Sequence, residues 1–202
     1  MFIQVIKGQV SDREAVRAAG DAWKENLAAG ATGWLGATAG VTDDGTYIAV
    51  VRFESAEAAQ ANSNRAEQGE WWSTKLEPLF TGPVTFHDCA ETLSFGAGGS
   101  DSAGFVQVME GRVKDAAKLK AFNDAHTADF DNFRADVIGG ITALHGDGGY
   151  TDIIYFTSEA EAREGEKQEM PAEMAAIMGE MMDLYEGEPT YYDLKDPWLT
   201  SP

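Results

Sequence analysis

The sequence predicts an α+β protein, two tandem β-α-β-β-α-β repeats closing on each other into one intramolecular, pseudo-dimeric α/β barrel. Three observations predict it. The opening FIQVIKGQVSD from Phe2 returns as FVQVMEGRVKD from Phe105, with Phe2, Gln4, Val5, Gly8, Val10 and Asp12 retained. The same spacing pairs Gly36 with Gly139, Gly45 with Gly148, Tyr47 with Tyr150, Phe53 with Phe156 and Ser55 with Ser158; a spacing two residues longer pairs Gly82 with Gly187, Thr85 with Thr190 and Asp88 with Asp193. Between the copies, LSFGAGGSDSAG has the Gly and Ser content of a flexible linker. The expected boundaries are residues 1–92, linker 93–104 and residues 105–202.

Each element has a local cause. Residues 2–8 are rich in Phe, Ile and Val and predict a strand. Ser11 or Asp12 starts a helix, Glu14 standing at capping-box distance from Ser11. Its apolar stripe is Val16, Ala19, Trp23 and Leu27; the second copy carries Leu119, Phe122, His126, Phe130 and Phe133. A strand over Trp34–Val41 and another over 47–53 flank TDDGT, a hairpin turn centred on Asp-Gly. HGDGG, from His145, is its counterpart. Ser55 and Ser158 sit where helix N-caps belong. A second helical region follows, and VTFHD or PTYYD closes each copy as a last strand. This is the ferredoxin-like split unit, which covers one sheet face with helices and leaves the other bare. Two copies in one chain offer those bare faces to each other.

With 44% hydrophobic residues the chain can build a core. Its net charge of -19 repels phosphate backbones and anionic membranes, so neither nucleic acid nor membrane is an expected partner. Lone Cys89 forms no internal disulfide, no run nears the ~20 apolar residues of a bilayer span, and a cytoplasmic protein is expected.

Dinucleotide, phosphate-loop, zinc and GxSxG signatures are absent, and no cofactor or metal is expected. Strand alternation sends His87 away from Val84 and Phe86, toward the presumed barrel interior, where it is a candidate general base. Arg52, interrupting YIAVVRF, is a candidate to stabilise an enolate or phenolate. Their counterparts Tyr192 and Tyr155, and the repeated Gln4 and Gln107, are candidate substrate-binding groups. Each also has a plainer reading. His87 is then a strand-end polar residue, Arg52 reaches water at a sheet end, and the glutamines pair with other side chains. His126 is either a haem or metal ligand or a half-buried core histidine. Trp71 and Trp72 form a lid or pack the second helical region. Met170, Met174, Met178 and Met182, four apart, read as a core-facing stripe or the mouth of an apolar site.

FIQVIKGQV, TYIAVVRFES and QGEWWSTKLEPLFTGPVTFHD resemble the dimeric α+β barrel superfamily, in particular antibiotic-biosynthesis-monooxygenase-like domains. The chain also resembles a tandem-domain, uncharacterised actinobacterial family within it. The resemblance implies a cofactor-independent monooxygenase, or a related enzyme, acting on a small aromatic or polyketide-like substrate. The alternative is a non-catalytic or stress-related protein binding a small apolar molecule, with a haem-linked role third. A single-chain pseudo-dimer is implied, with further self-association open.

Overall fold

The computed structural model of the chain describes residues 1–130 and 134–202. In order, its elements are β1 (Phe2–Gln9), α1 (Arg13–Asn26), β2 (Trp34–Val41), β3 (Thr46–Phe53), α2 (Ala56–Ser63), α3 (Ala66–Trp71), β4 (Thr85–Cys89), β5 (Glu91–Gly96), β6 (Phe105–Val113), α4 (Ala116–Phe130), β7 (Val137–Leu144), β8 (Gly149–Phe156), α5 (Glu159–Gly165), α6 (Ala172–Met182), β9 (Tyr185–Leu194) and β10 (Trp198–Thr200). A π-helical turn, Trp72–Leu76, prolongs α3.

These elements form two compact units. The first holds residues 1–90 and 197–202, and the second holds residues 91–196. Each has an antiparallel five-stranded sheet, ordered β10-β2-β3-β1-β4 in sheet 1 and β5-β7-β8-β6-β9 in sheet 2. The expected closed barrel is not formed. Hydrogen bonding stops at β10 and β4 in one sheet and at β5 and β9 in the other.

The fifth strands come from segments outside the β-α-β-β-α-β pattern. Residues 91–96, partly inside the Gly/Ser-rich stretch, pair with β7 through Leu93↔Thr142 and Phe95↔Gly140. Residues 198–200 pair with β2. β5 alternates large and small side chains and β10 has only three residues, and neither outweighs the neighbouring Gly, Ser and Pro in a sequence reading.

Helix α1 begins where its cap demands. Asp12, not Ser11, is the cap, accepting from the Ala15 N–H at 2.9 Å. Val16 and Ala19 then bury on sheet 1 with Ile6, Tyr47 and Leu76. Ser55 and Ser158 cap α2 and α5 as expected. Both hairpin turns place a glycine at positive φ, Gly45 at 83° and Gly148 at 87°, a region L side chains avoid. In unit 2 Leu119 is buried among Leu93, Leu144 and Tyr150. Phe133, expected to end that stripe, lies outside the described residues. The methionine stripe is not buried: α6 has no buried residue and Met182 is exposed.

Candidate functional site

Strand register defines the floor of a cavity in unit 1. One row across sheet 1 reads Trp198, Ala39, Ala49, Ile6 and Phe86, all pointing to the side that α1 covers. A second row contributes Ala37, Val51 and Gln4. Three alanines at the centre of this face, where sheets ordinarily carry larger side chains, leave unfilled space. The result is a cavity of about 380 Å³, large enough for a small aromatic molecule. Its walls come from α1 through Val16, Gly20 and Trp23, and from the second helical region through Asn62, Trp71 and Trp72.

The lining is aromatic, and its polar atoms divide into two groups. Some are satisfied within the protein. Trp23 Nε1 donates to Gln68 Oε1 at 2.6 Å, Trp71 Nε1 to the Ala19 carbonyl at 3.0 Å, and Gln4 Nε2 to Asp88 Oδ1 at 2.8 Å. The indole N–H groups of Trp34 and Trp198 are buried and have no hydrogen-bond partner. Positive charge borders them: Lys24 Nζ stands 4.8 Å from the Trp34 ring, and the Arg13 and Arg17 guanidiniums lie 5.6 and 5.9 Å from that of Trp198. Burial pushes the Tyr47 phenol, also in the lining, well above its ordinary value, so it stays protonated.

Of the residues anticipated from sequence, Gln4 lines this cavity; His87, Arg52, Gln107, Tyr155 and Tyr192 do not. His87 pairs across β1 with Val5, on the face turned away from α1. Arg52 is buried on that face and donates to Thr38 Oγ1 at 2.9 Å, so it does not reach water. Tyr155 is fully buried and Tyr192 half-buried in sheet 2. Gln107 repeats the Gln4 arrangement, donating to Asp193 Oδ1 at 3.0 Å, and Asp193 also pairs with Arg163. The two glutamines are thus satisfied by aspartates on the neighbouring strand. His126 stacks on Phe122 with centroids 4.6 Å apart and holds Asp129 at 2.8 Å. His145 meets Thr151 Oγ1 at 2.9 Å. Among the described residues no group of three or more His, Cys, Asp or Glu is placed to hold a metal ion. Trp34 and Trp198 were not anticipated. Their signal is modest: Trp34 opens a strand rich in Gly and Ala, and Trp198 opens a strand of three residues.

No protein-family pattern and no curated protein matches this chain. Solved structures do. One, from Fusobacterium nucleatum and provisionally named a monooxygenase, superposes with TM-score 0.77 over 99% of this chain and 94% of its own at 9% identity. Another, from Lactobacillus acidophilus and likewise provisionally named, gives 0.70 over 99% of both chains at 13% identity. An anthrone oxidase-like protein gives 0.62 over 99% and 92% at 13% identity. This chain shares their fold. At such identities the likeness extends to architecture alone. Among the described residues no helix is long and apolar enough to cross a membrane.

Proposed function

We propose that the chain is a monooxygenase-type enzyme of the antibiotic-biosynthesis-monooxygenase kind, binding a small aromatic substrate with carbonyl or phenolic oxygens in the cavity of unit 1. The observation that carries this is the pair of partnerless indole donors, Trp34 and Trp198, in a wall whose surface is mostly apolar and aromatic. A buried N–H without an acceptor is costly, and a ligand oxygen removes that cost. Arg17 and Lys24 outnumber Asp21 in the lining, and their net positive charge favours an oxygen that carries negative charge in the reacting state. The flat ring system of such a molecule suits tryptophan walls. Dioxygen is the second substrate, and the reading needs no cofactor. Its neighbours' names agree with it.

The test is binding and oxygen uptake with a hydroxyanthrone or hydroquinone panel. Trp34→Phe and Trp198→Phe keep the ring and remove the donor, and each is expected to weaken binding by about 1–3 kcal/mol, roughly five- to a hundredfold. Ala49→Leu, which fills the floor, is expected to abolish binding. Unchanged affinity in all three removes the reading.

The catalytic roles foreseen for His87 and Arg52, and binding through Gln107, Tyr155 and Tyr192, require a ligand away from this cavity. His87→Ala separates the two: turnover survives if the unit 1 cavity is the workplace and disappears if His87 is the base. A non-catalytic carrier or sensor of a small hydrophobic molecule is the second reading. One observation favours it, the lack of His or Cys among the lining residues described. Saturable binding with no product in the same assays would establish it.

A further inference from the structure

The row of sheet 2 that corresponds to the cavity floor of unit 1 reads Leu93, Thr142, Asp152, Met109 and Tyr191. Asp152 therefore occupies the place of Ala49, on the side of the sheet where Leu119 of α4 packs with Leu93 and Tyr150. The packing on this side is incomplete. Along β8, Asp152 and Ile154 are half-buried while Thr151, Ile153 and Tyr155 are buried; along β6, Gln107 and Met109 are half-buried while Val106 and Val108 are buried. Thr142 of β7 is likewise half-buried between Ile141 and Ala143. Such an alternation marks one face of the sheet as less completely covered than the other.

The Asp152 carboxyl is unusual on that face. Its Oδ1 is shielded from water and has no hydrogen-bond partner. No Lys or Arg pairs with it among the described residues. Burial pushes it up to about 7, with the Thr142 hydroxyl acting in the opposite direction. The titratable groups around it are phenols. Tyr150 and Tyr185 stack with centroids 4.8 Å apart, and burial together with the Asp152 charge drives both well above their ordinary values.

We propose that this side of sheet 2 is a second small-molecule site, where Asp152 accepts a hydrogen bond from a protonated amine carried on an aromatic or apolar body. A cation supplies the charge that the carboxylate lacks. The tyrosine rings offer faces that attract cations. A neutral donor such as an alcohol would satisfy the oxygen and leave the charge uncompensated.

Calorimetric titration of the whole chain with benzylamine, and with benzyl alcohol as its neutral counterpart, tests this. Benzylamine is expected to bind saturably, with affinity rising about tenfold from pH 6 to pH 8 as Asp152 ionises. Asp152→Asn, nearly isosteric, should lose at least tenfold and flatten that pH profile, while benzyl alcohol binds at least tenfold more weakly at pH 8. Ala49→Leu, in unit 1, should leave benzylamine binding unchanged. The proposal is overturned if no saturable binding occurs, if Asp152→Asn binds as well as the parent, if the alcohol matches the amine, or if Ala49→Leu is what removes the binding.

Discussion

The helix-covered faces of the two sheets have the same strand order and opposite contents. In unit 1 the central row is Ala39–Ala49, closed over by tryptophans, and the space beneath them is apolar with unpaired donors at its wall. In unit 2 the same row is Thr142–Asp152, and an unpaired acceptor stands where unit 1 has a methyl group. Phe95 differs too. Its ring lies where a Cβ at Gly140 would stand, 2.4 Å away, and it packs on Phe130 at 5.9 Å, occupying room that unit 1 leaves open. One backbone plan therefore carries unpartnered donors on one such face and an unpartnered acceptor on the other, decided by a few side chains.

The sharpest way to break this comparison is through pH. The native state holds the Asp152 proton to higher pH than the unfolded chain does, so unfolding releases a proton across the range between their values. Stability of unit 2 from this group is full at about pH 4 and below, and is lost as pH rises through about 7. Asp152→Asn removes the dependence, and by pH 8.5 it should exceed the parent by up to about 4 kcal/mol in urea unfolding. Parallel curves for parent and variant would show that Asp152 is solvated like a surface carboxylate. Next come the helix anchors. Leu119→Ala should cost about 3 kcal/mol and its counterpart Val16→Ala about 2, since both side chains are buried and differ by one methylene. Equal losses would mean that the two faces are equally well packed. The smallest effects belong to the caps. Ser55→Ala and Ser158→Ala should each cost about 1 kcal/mol in thermal or chemical unfolding. A larger loss at Ser158 would show that its bond to Glu161 Oε2 adds more to the cap than the Ser55–Glu57 contact does.

Much of the fold was legible because its signals are local. Phe, Ile and Val runs gave β1, β3 and β6, Asp-Gly located the first hairpin, and Ser55 and Ser158 located two helix starts. The site was less legible. Strand alternation correctly set His87 and Phe86 on opposite faces, Phe86 lying 5.3 Å from Trp72. It does not say which face keeps free volume, because that depends on helices crossing the sheet at positions the sequence leaves open. Arg52 was read as an anion-stabilising candidate or, more plainly, as a side chain reaching water at a sheet end. Pairing with Thr38, fourteen residues earlier, instead holds it inside. Asp152 carried a readable signal that went unused, a single carboxylate within YTDIIYF at the position of an alanine in YIAVVRF. Trp198 could not be assigned to the cavity, since its strand pairs with one far back in the chain.

That distant pairing has a consequence for the order in which the molecule assembles on the ribosome. The contact from the Lys24 ammonium to the Ser201 carbonyl spans 177 residues. Sheet 1 thus waits, one edge open and one tryptophan short, until the whole of unit 2 has been synthesised. A nascent chain halted before Trp198 would expose the bare β2 edge, and the aromatic wall of the first cavity would close only once Trp198 has been made.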